Sequence, residues 1–120
     1  MRELTKAEDQ VMQVIWDKGK ITVADVLEDL PEPKPAYNTV STIVRILEKK
    51  GFVDHEPFGR GYKYFPLISK DVYTKKFMKN FIGNYFGNSF KEMVSFFART
   101  DKMDLETFEK MMEEIKKDLE

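Results

Sequence analysis

The sequence predicts a mostly α-helical fold interrupted by one small β-hairpin. Three observations predict it: apolar residues recur at helical spacing in three short segments before residue 50, a strand-turn-strand pattern follows at once, and an aromatic-rich helical region fills the rest of the chain. The 120 residues, 42% hydrophobic and 13% aromatic, suffice for one real core, or for a small domain with an appended assembly element.

Thr5-Lys6-Ala7-Glu8 reads as a capping box, in which the threonine oxygen takes one orphan backbone N–H and the glutamate takes another. Val11, Met12, Ile15 and Trp16 then give a first helix one apolar stripe, to about Lys18, where Gly19 stops it. Ile21 stands alone and favours β structure. Thr22-Val23-Ala24-Asp25 starts a second helix, with Val23, Val26, Leu27 and Leu30 in its stripe, and the proline-rich "PEPKP" ends it.

The third helix, in "YNTVSTIVRILEKKGF", begins near Tyr37 or Asn38, where an Asn or Thr can cap, and ends at Gly51 behind two lysines that suit the helix dipole. Val40, Ile43, Val44 and Leu47 make its buried stripe. Its opposite face is unusual. Asn38, Thr39, Ser41 and Thr42 stand where long charged side chains are normal, followed by Arg45 and Lys49. Short hydroxyl and amide groups let a helix backbone come close to base edges, Asn can pair with adenine and Arg with guanine.

Phe52 to Glu56 alternates as a strand, "PFGRG" is turn chemistry, and Tyr62 to Pro66 is a second strand. A two-stranded hairpin is marginal alone and must lean on the helices. Helix, short strand, helix, helix and hairpin is the winged helix-turn-helix layout, whose third helix enters the major groove and whose hairpin tip touches the backbone or minor groove nearby. Arg60 between Gly59 and Gly61, with Lys63 beyond, offers cations to phosphates. The candidate DNA-binding set is Tyr37, Asn38, Thr39, Ser41, Thr42, Arg45, Lys49, Arg60, Tyr62 and Lys63.

The charge pattern agrees. The net charge is −1, but residues 34–79 carry ten basic and four acidic side chains, while both flanking segments are net acidic.

Residues 1–69 therefore form the expected winged-helix domain and residues 70–120 a helical dimerisation region, with the boundary near residues 68–70. Seven of the ten phenylalanines lie beyond it, with helices expected at 70–86, 89–99 and 105–119, the last opened by Asp104 with a Met103–Phe108 staple. Three short helices cannot cover seven phenylalanines for one another, at roughly 150–250 Å² each. The expected interface of a homodimer comprises Phe77, Phe81, Tyr85, Phe90, Phe97, Phe108, Met111, Met112 and Ile115.

Other chemistry has little to work with. There is no cysteine, and the single histidine, His55, has no evident second ligand, so no metal site, catalytic residue or cofactor is expected. The acidic residues of the last segment, Glu106, Glu109, Glu113 and Glu114, read as a solvated face. No apolar run is long enough to insert into a membrane and no secretion signal is visible, so a cytoplasmic location is expected.

Taken together, "LTKAEDQVMQVIW", "ITVADVLEDL", "YNTVSTIVRILEKKGFVDHE" and "GRGYKYFPLISK" resemble the penicillinase-repressor family of bacterial winged-helix transcriptional regulators, the BlaI/MecI type, and the tail "GNSFKEMVSFFARTDKMDLETFEKMMEEI" is similar to its dimerisation helices. The resemblance implies a homodimeric repressor on a palindromic double-stranded DNA operator, controlling antibiotic-resistance or related stress genes. It also implies a membrane sensor protease as partner for those members that are cleaved at an Asn-Phe bond. The corresponding dipeptide here is Ser95-Phe96, a departure from that pattern. A copper-responsive branch of the family uses a cysteine-rich tail, which this chain lacks. The rival function is a winged-helix protein-interaction module without sequence-specific DNA binding, separable by the steep salt dependence of phosphate contacts.

Overall fold

The computed structural model describes residues 3–101 and, beyond them, five helical positions, 106, 110, 113, 114 and 117. The expected helix at 105–119, with Met103, Asp104, Phe108, Met111, Met112 and Ile115, otherwise lies outside the described residues. The order is α1 (Lys6–Lys18), α2 (Val23–Asp29), α3 (Tyr37–Lys49), β1 (Val53–Phe58), β2 (Gly61–Pro66), α4 (Lys70–Phe86) and α5 (Phe90–Asp101). The chain divides into two compact units, Met1–Lys70 and Asp71–Glu120.

In the first unit both early helices open on capping boxes, Thr5 with Glu8 and Thr22 with Asp25. Each box satisfies two orphan N–H groups, and losing its cap residue costs about 0.5–2 kcal/mol. Helix α2 has no glycine stop. Its C-terminal carbonyls are collected by a side chain: the Lys34 ammonium donates to the oxygens of Leu27, Glu28 and Leu30 at 3.1, 2.5 and 2.9 Å. That cation at a helix C-terminus is favourable on dipole grounds as well.

Helix α3 starts without the expected Asn or Thr cap. Its N-cap is Ala36, extended at φ −67° and ψ 152°, with no side-chain hydrogen bond. The helix begins at Tyr37, within the expected start, so Asn38 and Thr39 fall inside its first turn, and Pro35, which holds Lys34 out of helical geometry, bars an earlier start. Val40, Val44 and Leu47 are completely buried. Burying each such side chain stabilises by about 1.5–3 kcal/mol. They meet Val11, Met12 and Ile15 of α1 and Val26 of α2 in one core that also encloses Phe52 and Val53.

The hairpin is longer and its turn tighter than "PFGRG" suggests. The antiparallel register runs from Val53 opposite Pro66 to Phe58 opposite Gly61, leaving a two-residue loop, Gly59-Arg60. Gly59 supplies φ +59° at the first loop position, where such turns call for glycine. Pro57 fits because β1 is an edge strand whose outer side needs no donor. The lone β residue finds its role here: Ile21 pairs with Tyr64 through N–H···O bonds of 3.0 and 2.8 Å, so the hairpin is stitched to the α1–α2 connection. At the wing's base the Leu67 amide donates to Phe52 and the Trp16 indole to Ile68, at 2.8 and 2.9 Å.

The second unit has a smaller core. Ile82, Met93 and Val94 are buried, with Met78, Phe81, Phe86, Phe90, Phe97 and Ala98 packed partly covered around them. Helix α4 reverses into α5 through Gly87 and Asn88, both at positive φ, and Ser89 accepts from the Glu92 amide at 3.1 Å as N-cap.

Candidate nucleic-acid interface

The buried stripe of α3 fixes which face of the helix is left over. With Val40, Val44 and Leu47 turned into the core, Asn38, Thr39, Thr42, Arg45 and Lys49 are exposed and Ser41 is half-buried on the opposite side. Tyr37 stands exposed at the start of the helix. The Thr42 hydroxyl donates to the Asn38 carbonyl at 2.9 Å. Its proton is therefore committed to the helix, and in this rotamer it can only accept a further hydrogen bond.

The two lysines at the end of α3 part company. Lys49 points to solvent, whereas the Lys50 ammonium donates to both carboxylate oxygens of Glu8 at 2.8 Å, in a pair almost withdrawn from water. Burial alone would push the Glu8 carboxyl up, but the Lys50 ammonium and the hydrogen bonds with Thr5 outweigh it, so the group sits below its ordinary value. The pair ties the end of α3 to the first turn of α1, which sets the angle at which α3 presents its polar face. Lys50 was legible only as a dipole partner, because Glu8 is 42 residues away in sequence.

In the wing, Arg60 is exposed at the two-residue tip and Tyr62 on the next position of β2. Lys63 is half-buried because its ammonium lies 4.0 Å from the centroid of the Phe58 ring, a cation–π contact across the hairpin. Sequence reasoning left Phe58 out; only the cross-strand register brings it to Lys63. Lys20 is engaged elsewhere, 2.8 Å from Glu56 and over the Phe65 ring.

His55 links wing and helix. Its Nδ1 is in contact with the Glu48 carboxylate near the end of α3, and its ring meets Tyr62 edge-on with centroids 4.7 Å apart. Glu48 is thus a neighbour of His55 that the sequence did not place there. Glu48, Asp54 and His55 bring their ligand atoms within 4.8 Å of one another, the one such group among the described residues. The sequence hid it because the turn after α3 brings Glu48 back beside β1. Burial pushes the neighbouring Tyr64 phenol up, the Glu48 charge adds to this and Arg45 opposes it, so the phenol stays neutral.

Among the expected interface residues of the second unit, Phe77 and Tyr85 are exposed and Phe81, Phe90 and Phe97 half-covered. Phe96, absent from that expectation, is exposed as well. Phe108, Met111, Met112 and Ile115 lie outside the described residues. No described helix is long and apolar enough to cross a membrane.

A helix-turn-helix with a polar outer face on α3, followed by a wing with a cationic tip, defines a winged-helix DNA-binding protein. Residues 4–117 match the family described as penicillinase repressor. The methicillin resistance regulatory protein MecI of Staphylococcus aureus (strain N315) is 26% identical over 110 residues, covering 91% of this chain and 89% of that one. The penicillinase repressor of Bacillus licheniformis is 26% identical over 102 residues, 84% of this chain and 80% of that one. A solved chain described as a CopR repressor structure is 33% identical and covers 57% of this chain and 100% of its own, with a TM-score of 0.48. The chain belongs to the penicillinase repressor family: it is a DNA-binding transcriptional repressor and not an enzyme.

Proposed function

We propose that the chain represses transcription as a cytoplasmic homodimer on a palindromic operator, with residues 1–69 binding DNA and residues 70–120 holding the dimer. The observation that carries this reading is the division of α3 into a fully buried apolar stripe and an exposed face of short polar residues ending in Arg45 and Lys49. Side chains of that size admit the helix to the major groove, where Thr39, Ser41, Thr42 and Arg45 reach base edges. Thr42, as an acceptor, suits the exocyclic amino groups of adenine or cytosine and not a phosphate. The uncapped amides of Tyr37 and Asn38 face a phosphate at the helix N-terminus. Lys49, Arg60 and Lys63 serve phosphates, with Tyr62 beside them.

Two recognition helices related by a dyad require inverted half-sites on one face of the duplex, a whole number of turns apart. The relatives named for methicillin resistance and penicillinase make resistance or related stress genes the first place to search for such an operator. Ser95 and Phe96 lie inside α5, and Ser replaces the Asn of the cleavable bond, so release from DNA uses a trigger other than a sensor protease cutting there. Intact mass after antibiotic stress checks this; a fragment ending at Ser95 would contradict it.

The deciding experiment compares two sets of mutants on operator and random duplex at two salt concentrations. Arg60→Ala or Lys63→Ala should weaken binding to every sequence and lower the salt slope by about one each. Thr42→Ala or Arg45→Ala should cost about 1–3 kcal/mol on the operator and relax preference at one position per half-site. Equal losses on both duplexes for the second set would mean that α3 does not read sequence.

A further inference from the structure

We propose that Glu48, Asp54 and His55 form a surface site for one divalent transition-metal cation, and that its occupation strengthens DNA binding; the second half of the proposal rests on the winged-helix reading above. The three residues come from two elements. Glu48 lies in the last turn of α3, Asp54 and His55 on β1, and their ligand atoms converge within 4.8 Å. His55 Nδ1 contacts the Glu48 carboxylate and stands 3.9 Å from Asp54 Oδ1. Ligand bonds of roughly 2.0–2.2 Å separate the donor atoms of such an ion by roughly 3–3.5 Å. Small rotations of these solvent-accessible side chains reach that spacing with the backbone in place.

The surroundings prepare the ligands. Asp54 Oδ1 accepts from the His55 amide at 2.8 Å, which holds the carboxylate beside the imidazole, and the edge of Tyr62 holds the ring. One imidazole nitrogen with two carboxylates is a borderline-hard set, suited to zinc, manganese, cobalt or nickel and unsuited to copper(I). The exposed side of the site leaves remaining positions to water.

Charge supplies the second argument. Residues 34–79 carry ten basic and four acidic side chains. Of those four, Glu56 is paired with Lys20 at 2.8 Å. Among the described residues, Glu48 and Asp54 have no lysine or arginine within salt-bridge distance, and their pairings are with His55 alone. Two carboxylates without a lysine or arginine partner thus stand between α3 and the wing, where they repel phosphate. A dication cancels both charges and draws wing and helix together. The gain acts on any duplex, because it is a phosphate effect.

The test uses the full-length protein stripped of metal by a chelator. ZnCl2 titrated by calorimetry should show one ion per chain, weakened at least about tenfold by His55→Ala and by Glu48→Gln. Because His55 is the sole histidine, its imidazole proton signals are unambiguous, and sub-stoichiometric MnCl2 should broaden them selectively in the unmutated protein, which keeps the proposal testable should a variant misfold. Wild type and both variants titrating alike, or His55 signals that stay sharp, would overturn the site. On a random duplex at fixed ionic strength, zinc should tighten binding on the order of tenfold in wild type and leave His55→Ala unchanged. Ion binding at these residues with unchanged DNA affinity would overturn the coupling. A protein that binds no duplex with or without zinc would instead overturn the DNA reading, and the coupling with it, while the titration alone decides the site.

Discussion

Both units leave large aromatic rings in water, but with different neighbours. In the wing, Phe58 is 54% exposed beneath the Lys63 ammonium, and Tyr62, 50% exposed, meets the edge of His55. In the second unit the neighbours of rings are rings: Phe77 stacks on Phe81 with centroids 6.4 Å apart, Tyr85, 73% exposed, leans on Phe81 at 5.1 Å, and Phe86 meets Phe96 at 5.7 Å. What lies beneath differs too. Among the described residues, the large side chains buried to below 2% exposure, from Val11 to Val53, belong to the first unit. A ring carrying a polar partner is compatible with water and with a phosphate beyond it. A run of rings over a core of Ile82, Met93 and Val94 is apolar surface that a second copy can cover.

The largest effect expected from this contrast is on the first unit. Leu47→Ala should destabilise it by about 2–5 kcal/mol, since Leu47 is completely enclosed between α3 and α1. Thermal unfolding at dilute protein checks this. A loss below about 1 kcal/mol would mean that the first-unit core collapses around the gap and is less complete than its burial implies.

Next comes the tail. Tyr85→Ala and Phe77→Ala should leave the first unit's melting unchanged while weakening the proposed dimer by about 2 kcal/mol or more each, the range of aromatic hot spots. Sedimentation across a concentration series reads this directly, with a 1–69 fragment as the monomeric reference. A full-length chain that is monomeric at micromolar concentration would erase the contrast, because the tail rings would then be unpartnered surface.

Much of this was legible in sequence and some was not, for physical reasons. Capping boxes, helical stripes and the isolated Ile21 are local signals, and Thr5, Thr22, Val40 and Ile21 are found doing what their types predict. The polar face of α3 followed directly from its stripe. Contacts that depend on the fold were invisible: Lys34 folding back over the end of α2, Glu8 reaching Lys50, Phe58 lying under Lys63, and Glu48 meeting His55. Each joins residues whose proximity is set by a turn or a register. The start of α3 at Tyr37 was legible but its cap was not: Ala36 stands where an Asn or Thr was expected, with no side-chain hydrogen bond.

The Glu8–Lys50 pair lies within the first unit, almost withdrawn from water. Lys50→Met should cost about 1.5–3 kcal/mol at neutral pH, because it leaves a buried carboxylate without its charged donor. The pH dependence follows from the lowered position of the Glu8 carboxyl. The stabilisation is complete above the ordinary value of 4.5 and is lost as pH falls through the lower folded value. Wild type should therefore lose stability below about pH 4.5 more steeply than Lys50→Met. Parallel acid-unfolding curves would show that the pair is not coupled to folding.

The smallest effect tests the cation–ring contact that sets the wing apart. Phe58→Leu keeps an apolar side chain on the edge strand but removes the π face under Lys63, so stability should change by less than about 0.5 kcal/mol, as for an exposed position. DNA affinity should fall by about 0.5–1 kcal/mol on operator and random duplex alike, since the ammonium loses the perch that orders it. The salt slope should not move, because the charge of Lys63 remains. Lys63→Ala, by contrast, lowers the slope by about one. The double variant should lose no more than Lys63→Ala alone, as expected when Phe58 acts only through that lysine. A Phe58→Leu loss as large as that of Lys63→Ala, or one that adds to it, would instead place the ring itself against the sugar-phosphate backbone, and the wing's aromatics would then be contact residues in their own right.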